Sequence, residues 1–172
     1  ALIDMGGHCI DLLEMFFGRV KMVSCFINNT VHNYKSEDSA VVSLFFENGA
    51  MGSVDACFCI PDNSSKNILE IYGSNGSILA RGTIGQGSAG EMTAYIEGET
   101  SGYDAKQARS AGEGIPLNPV QVNPYLAEVA EFSDAILNRR EPSNSYHLGL
   151  RNQKIIAACY ESAAKGKIIP VG

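Results

Sequence analysis

The spacing of apolar positions changes period twice along the chain. From Ala1 to Phe17 they recur at helical intervals around a polar stripe, and Gly18 stands where such a helix would stop. From Val20 the pattern tightens. "VKMVSCFINNTV" (20–31) and "SAVVSLFFENG" (39–49) are rich in β-branched and aromatic residues, which favours strands. Asn48-Gly49 predicts a hairpin through a type I′ turn, with positive φ at both positions, and "AMGSVDACFCI" (50–60) is its return strand. "NILEIYG" (67–73) and "GSILARG" (76–82) flank a tight turn at Ser74-Asn75, and "EMTAYIEGE" (91–99) adds another strand. Residues 100–119, rich in Gly, Ser, Ala and Pro, predict a long loop or an ordered lid.

Helical spacing then returns. Asn123 is placed to cap a helix with Pro124 at its first position, and Leu126, Val129, Ala130, Phe132 and Ile136 form its expected buried stripe. A second long helix is predicted over 145–166, ended by Gly166, and "KIIPV" reads as a last short strand. Hairpin-joined strands in one block with helices at both ends predict an α+β domain: an open, mostly antiparallel sheet with helices on one face. Val42, Leu44 and Phe46 alternate with Val41, Ser43 and Phe45, so one strand is apolar on both sides. Such a sheet calls for a second cover, a further subunit or domain.

Two adjacent glycines, Gly6 and Gly7, sit in the first half of the first helix, where each costs roughly 1 kcal/mol relative to alanine. At about 100° per residue, with Asp4 at zero, His8 falls near ~40° and Asp11 near ~−20°, so the three share one stripe. Leu2, Met5, Cys9, Leu12, Leu13 and Phe16 fill the opposite arc. Gly6 lies in that arc, where it lets the helix press close to the sheet. Gly7 borders the polar stripe, where it leaves room for a ligand beside His8. The spacing alone also fits a solvated i,i+4 pair, or a metal site with Asp4, His8 and Asp11 as ligands.

Composition narrows the setting. With 45% hydrophobic and 19% charged residues the chain is globular. A net charge of −6 and a basic patch nowhere in sight argue against nucleic acid. No apolar run approaches the ~20 residues of a membrane helix. The five cysteines, Cys9, Cys25, Cys57, Cys59 and Cys159, have no regular spacing and read as free buried thiols in a reducing cytoplasm. No metal site is expected at "CFC". The chain opens inside a helical pattern without an initiator methionine, which reads as a piece of a longer protein.

"ALIDMGGHCIDLLEMFFG" resembles the start of the C-terminal domain of the Gfo/Idh/MocA oxidoreductases, the glucose-fructose oxidoreductase and inositol dehydrogenase family. The shared pattern is D-x-G-x-H-x-x-D, here Asp4, Gly6, His8 and Asp11, followed by Phe17-Gly18. The far end, "EVAEFSDAILNRREPSNS" and "AACYESAAKGKIIPV", is similar to the family's closing helices. The resemblance implies a substrate-binding and oligomerisation domain spanning residues 1–172, with the Rossmann domain absent from this chain. It also implies oxidation or reduction of a CH–OH group on a sugar, cyclitol or related compound. NAD or NADP would be held mainly by the missing domain, as would the family's catalytic lysine. His8 becomes the general acid/base, and Asp4 orients it, supports its protonated form and binds substrate. Asp11 is read as structural, a partner for the adjacent chain. The expected partners are a small polyol or sugar and a second copy docked through the sheet face, in the cytoplasm, with no nucleic acid and no membrane.

Two matches are decoys. "GQGSAG" (85–90) satisfies G-x-G-x-x-G but is followed by a strand pattern, whereas a dinucleotide site needs a helix there. "SAAK" (162–165) matches S-x-x-K in the last turn of a helix, where a lysine complements the dipole. His32 and His147 are isolated and read as structural, while Tyr125 and the 100–119 loop are candidates to line a pocket. The competing reading is a non-catalytic dimerisation or ligand-binding module.

Overall fold

The computed structural model describes residues 1–65, 67–87, 90–96 and 113–172. The chain divides into two compact units, Ala1–Ser64 with Glu141–Gly172, and Ser65–Arg140.

The first unit opens with a π-helical turn, Leu2–Gly6, that runs into α1, Gly7–Phe17. Strands β1 (Val20–Asn28), β2 (Ser39–Phe46) and β3 (Met51–Cys57) follow. After the second unit come α3 (Tyr146–Lys165) and β8 (Ile169–Pro170). The sheet order is β3-β2-β1-β8, antiparallel throughout. A bulge between Val20 and Met22 adjusts β1 against β2, so that Val20 and Val23 both point inward. Val23, Cys25, Val42, Leu44, Val54 and Ala56 then form one buried face, covered by Ile10 and Leu13 of α1 and Ile155, Ile156 and Cys159 of α3. The other face carries Phe26 beside Val41 and Asp55, and Phe45 beside Met22 and Met51. Phe26 is 75% exposed and Met51 79%, so the apolar outer side expected of this sheet is present.

The β2–β3 turn differs from the expected type I′. The Gly49 N–H bonds to the Phe46 carbonyl at 3.1 Å and Gly49 alone has positive φ, +89°. This is a type I turn around Glu47-Asn48 closed by a glycine bulge, the usual three-residue alternative. Asn48 uses its side chain at both ends: Oδ1 accepts from Ala50 N–H, and Nδ2 donates to the Phe17 carbonyl at the end of α1.

The second unit holds a four-stranded antiparallel sheet in the order β4 (Ile68–Gly73), β5 (Gly76–Arg81), β6 (Glu91–Ile96) and β7 (Ile115–Leu117). Gly73 pairs with Gly76, so Ser74-Asn75 is the predicted tight turn. Strand β7 was not foreseen within the expected long loop; its Pro116 is tolerated because β7 is an edge. The rest of that loop lies outside the described residues. Helix α2, Pro124–Leu137, starts as expected, with Asn123 Oδ1 accepting from Leu126 N–H at 3.1 Å. Its expected buried stripe is instead exposed: Leu126, Val129, Phe132 and Ile136 lie open, and only Ala135 is buried. Periodicity marks where a helix is apolar, not what covers it. The class is α+β as predicted, with the strands sorted into two antiparallel ladders.

Candidate active site

The first helix supplies the candidate chemistry. It begins with one widened turn, in which the Gly6 N–H reaches back to the Ala1 carbonyl at 3.1 Å. Such π turns inside helices recur at functional sites. Leu2, Gly6, Gly7, Ile10 and Leu13 face inward, while Asp4, His8 and Asp11 are exposed together on the opposite side. The shared polar stripe is therefore present. The apolar arc is only partly used: Met5, Cys9 and Leu12 are half-buried, and Phe16 is exposed. An apolar flank thus runs beside the stripe.

The two glycines are both close approaches. A Cβ on Gly6 would lie 3.1 Å from Leu2 Cδ1 and 3.6 Å from Ala56 Cβ of β3, the tight contact with the sheet that was expected. Gly7 corrects the sequence reading. Its missing Cβ faces Ile156 Cδ1 at 3.3 Å and Asn152 Oδ1 at 3.7 Å, and Asn152 Nδ2 donates to the Gly7 carbonyl at 2.8 Å. Gly7 makes room for α3, not for a ligand beside His8. The wheel gives the direction Gly7 faces, at the edge of the polar stripe beside Glu14, but not that α3 packs against that edge.

Asp4 and His8 stand one turn apart, and among the described residues neither side chain has a hydrogen-bonding or ionic partner, including one another. Both are open to an incoming molecule. Asp11 is likewise exposed, and among the described residues its side chain has no partner within this chain. Among the described residues, no group of three or more His, Cys, Asp or Glu is placed to hold a metal ion.

Behind this face the helix is clamped by residues the sequence did not single out. Arg151 on α3 grips Glu14 with Nε at 2.9 and 3.0 Å from the two carboxylate oxygens and Nη2 at 2.8 Å, and Glu14 Oε1 also accepts from Val20 N–H at 2.9 Å. Glu37 and Asp38, at the end of the β1–β2 loop, are both buried. Glu37 Oε1 accepts from Leu2 N–H at 2.8 Å, from the Ala1 nitrogen at 3.1 Å and from the Tyr160 hydroxyl at 3.1 Å. Burial alone would raise the Glu37 carboxyl, but the main-chain N–H groups of Glu37 itself and Leu2, with the Ala1 nitrogen, more than offset it and hold the group below its ordinary value. Burial and the Glu37 carboxylate push the Tyr160 hydroxyl up to about 12. Asp38 Oδ2 accepts from the N–H groups of Thr30, Val31 and His32 at 3.0, 2.7 and 3.1 Å, and Ser39 Oγ donates to Oδ1 at 2.8 Å. Burial opposes ionisation of Asp38 too, and the four donors outweigh it, leaving the group well below the usual carboxylate range. No local pattern marks these carboxylates, because apart from Ser39 their partners are brought to them by folding.

The decoys resolve in the same way. Gly90 is followed directly by β6, so no helix N-terminus is presented to a pyrophosphate, and "GQGSAG" does not fit a dinucleotide. Ser162 is buried, accepts from Cys25 N–H at 3.0 Å and donates to the Lys167 carbonyl at 2.7 Å, while Lys165 pairs with Glu161. Its hydroxyl ties α3 to β1 and is not a nucleophile. His32 stacks on Tyr34 and its Nε2–H donates to the Phe58 carbonyl at 2.9 Å, a structural role as expected; His147 is exposed beside Tyr146. Cys25 and Cys159 are buried thiols, but Cys57 is exposed, against expectation. Tyr125 lies exposed at the start of α2, in the second unit.

Comparison with known proteins places this geometry. The chain is 26% identical over 172 residues to D-apiose dehydrogenase of Rhizobium rhizogenes, covering 98% of this chain and 48% of that protein. The chain thus spans about half the length of the curated relative it matches. Among solved structures, the aldose-aldose oxidoreductase of Caulobacter crescentus, complexed with glycerol, superposes with a TM-score of 0.81 at 19% identity, covering 98% of this chain and 47% of that one. A levoglucosan dehydrogenase in complex with NADH and L-sorbose superposes with a TM-score of 0.77 at 21% identity, covering 98% and 49%. The model of the oxidoreductase family's C-terminal alpha/beta domain matches residues 1–172. With its sheets, its closing helices and the D-x-G-x-H-x-x-D helix accounted for, the chain belongs to the Gfo/Idh/MocA oxidoreductase family, as its C-terminal alpha/beta domain.

Proposed function

We propose that this chain is the substrate-binding, catalytic and oligomerisation half of a cytoplasmic NAD(P)-dependent dehydrogenase acting on a CH–OH group of a sugar, cyclitol or related polyol. The observation that carries the reading is the exposed placement of Asp4 and His8 one turn apart on a helix whose inner face is locked into the fold. The apolar flank of Met5, Cys9, Leu12 and Phe16 beside them suits a covering domain, and the relatives have the length for one. A nicotinamide held by that second, Rossmann-type domain would supply the hydride acceptor or donor.

This chain's own work is the proton. His8 takes the substrate hydroxyl proton as the carbonyl forms and returns it in the reverse direction; imidazole suits the task because it exchanges a proton near neutrality. Asp4 hydrogen-bonds a neighbouring hydroxyl and, on closure around substrate, turns toward His8 and favours its protonated form. Such catalytic contacts often tighten only in the substrate complex. His8→Ala in the full-length protein is expected to lower turnover by roughly 10²–10⁴-fold while leaving cofactor affinity nearly unchanged. The assay is a screen of D-apiose, levoglucosan and common aldoses with NAD⁺ and NADP⁺, and unchanged turnover in the variant would remove His8 from the chemistry.

The outer face of the first sheet favours a second reading. Phe26, Val41 and Met51 are apolar and exposed there, which supports a homo-oligomer built through this face, with or without catalysis.

A further inference from the structure

Among the described residues, the side chains of Asp4 and His8 have no partner, so nothing at their tips fixes them. Where they stand is set by the backbone that carries them. That backbone is set in turn by what holds the inner side of α1. Ile10 and Leu13 are buried there, but apolar contact is non-directional and tolerates a small slide or roll of a helix. A hydrogen bond does not, because it weakens steeply with distance and angle.

Helix α3 supplies two directional grips from adjacent residues. Asn152 Nδ2 donates to the Gly7 carbonyl at 2.8 Å, and Arg151 pairs with Glu14. Gly7 and Glu14 are two turns apart in sequence, so they lie on one side of the helix, about 10 Å from each other along its axis. The Asn152 bond is the one nearer the candidate chemistry. The Gly7 carbonyl belongs to the peptide that joins Gly7 to His8, so the Asn152 amide holds the plane from which His8 departs. Close seating of α3 here depends on Gly7 having no side chain. A Cβ there would lie 3.3 Å from Ile156 Cδ1 and 3.7 Å from Asn152 Oδ1, and Ile156 is itself buried. The leverage is large: a histidine ring stands about 6 Å from its helix axis, so a roll of about 10° carries it by about 1 Å. A misplacement of about that size is enough to cost a catalytic group one or two orders of magnitude in rate.

We infer that Asn152 is a positioning residue: by holding the Gly7–His8 peptide against α3, it fixes the roll of the first helix and so the direction in which His8 meets its substrate. Its consequence for turnover rests on the catalytic reading of His8, whereas its consequence for the helix does not.

The test uses the full-length protein and two readouts. Asn152→Leu keeps the bulk of the side chain and removes the donor. Amide hydrogen exchange over residues 7–12 should then quicken about fivefold or more while β1, β2 and β3 stay protected, because the lost bond frees the helix locally. Asn152→Asp keeps the shape but turns acceptors toward the carbonyl; it should quicken the same segment, and it decides the matter should Asn152→Leu fail to fold. For turnover of D-apiose or any other sugar accepted in the screen, both variants should lower kcat per folded molecule about tenfold, with KM changed less than about threefold. A residue that acts through His8 has nothing to act through once His8 is gone. In a His8→Ala background, Asn152→Leu should therefore lower the residual turnover by less than about twofold. Unchanged exchange over residues 7–12, or equal loss of protection across the sheet, overturns the inference whatever His8 does. Faster exchange with unchanged kcat, in a protein that His8→Ala disables, overturns the positioning role, and so does a loss of about tenfold that persists without His8. If His8→Ala leaves turnover intact, the catalytic reading fails alone, and the exchange result still decides whether Asn152 holds the helix.

Discussion

Asp38 concentrates three backbone N–H groups on one carboxylate oxygen, a buried arrangement that exists only while the carboxyl is ionised. Its folded-state affinity for protons lies below that of the unfolded chain, so its stabilisation is complete above the ordinary carboxylate value, about pH 4, and is lost as pH falls below it. Melting temperature is therefore expected to hold level from neutral pH down to about 5 and then drop. In Asp38→Asn it should start lower at pH 7 and fall less steeply in acid; an equally steep acid limb would mean other carboxylates govern it. Individual residues were legible in the sequence only where the chemistry is local. Asp4, His8 and Asp11 share an exposed stripe because helical periodicity alone puts them there. Glu37 and Asp38 were invisible, since their donors lie on a helix start, a loop and a distant tyrosine.

Single elements hold together through side chains that reach across them. Glu14 and Arg151 join α1 to α3 with three short charged contacts, both side chains mostly shielded from water. Removing Arg151 leaves the carboxylate with only the Val20 N–H, so Arg151→Met should cost about 1.5–3 kcal/mol. Removing both partners should cost less than the sum of the single changes, with a coupling of about 0.5–3 kcal/mol. Additivity in chemical denaturation of the four proteins would show that the clamp carries no coupling. Element ends were the most legible part of the sequence: Gly18, Asn123 with Pro124, and Gly166 all act as expected, because caps are written in two or three neighbouring residues. The turn at Asn48-Gly49 and the fate of Gly7 were not legible. The dipeptide fits two loop lengths, and a helical wheel gives the direction of a residue but not the element that packs against it.

For the whole molecule, the decisive question is what covers the outer sheet face. Phe26, Val41 and Asp55 lie side by side on β1, β2 and β3, with Phe45 next to Met22 and Met51. A second copy seated there would bury this surface, and the proposed dimer should weaken about tenfold or more when Val41→Lys places a charge at its centre. Sedimentation velocity reads the outcome directly; an unmoved equilibrium would send the search to another face. The order of strands carries a different consequence. Strand β1 pairs with β2, made soon after it, and with β8, made more than a hundred residues later, while α3 and its Ser162 close the inner face only after residue 162 exists. During synthesis, β1 must therefore wait through more than a hundred residues with one edge open and its apolar side uncovered. The nascent chain is most exposed to misassociation in that interval, which closes only once α3 and β8 have both emerged.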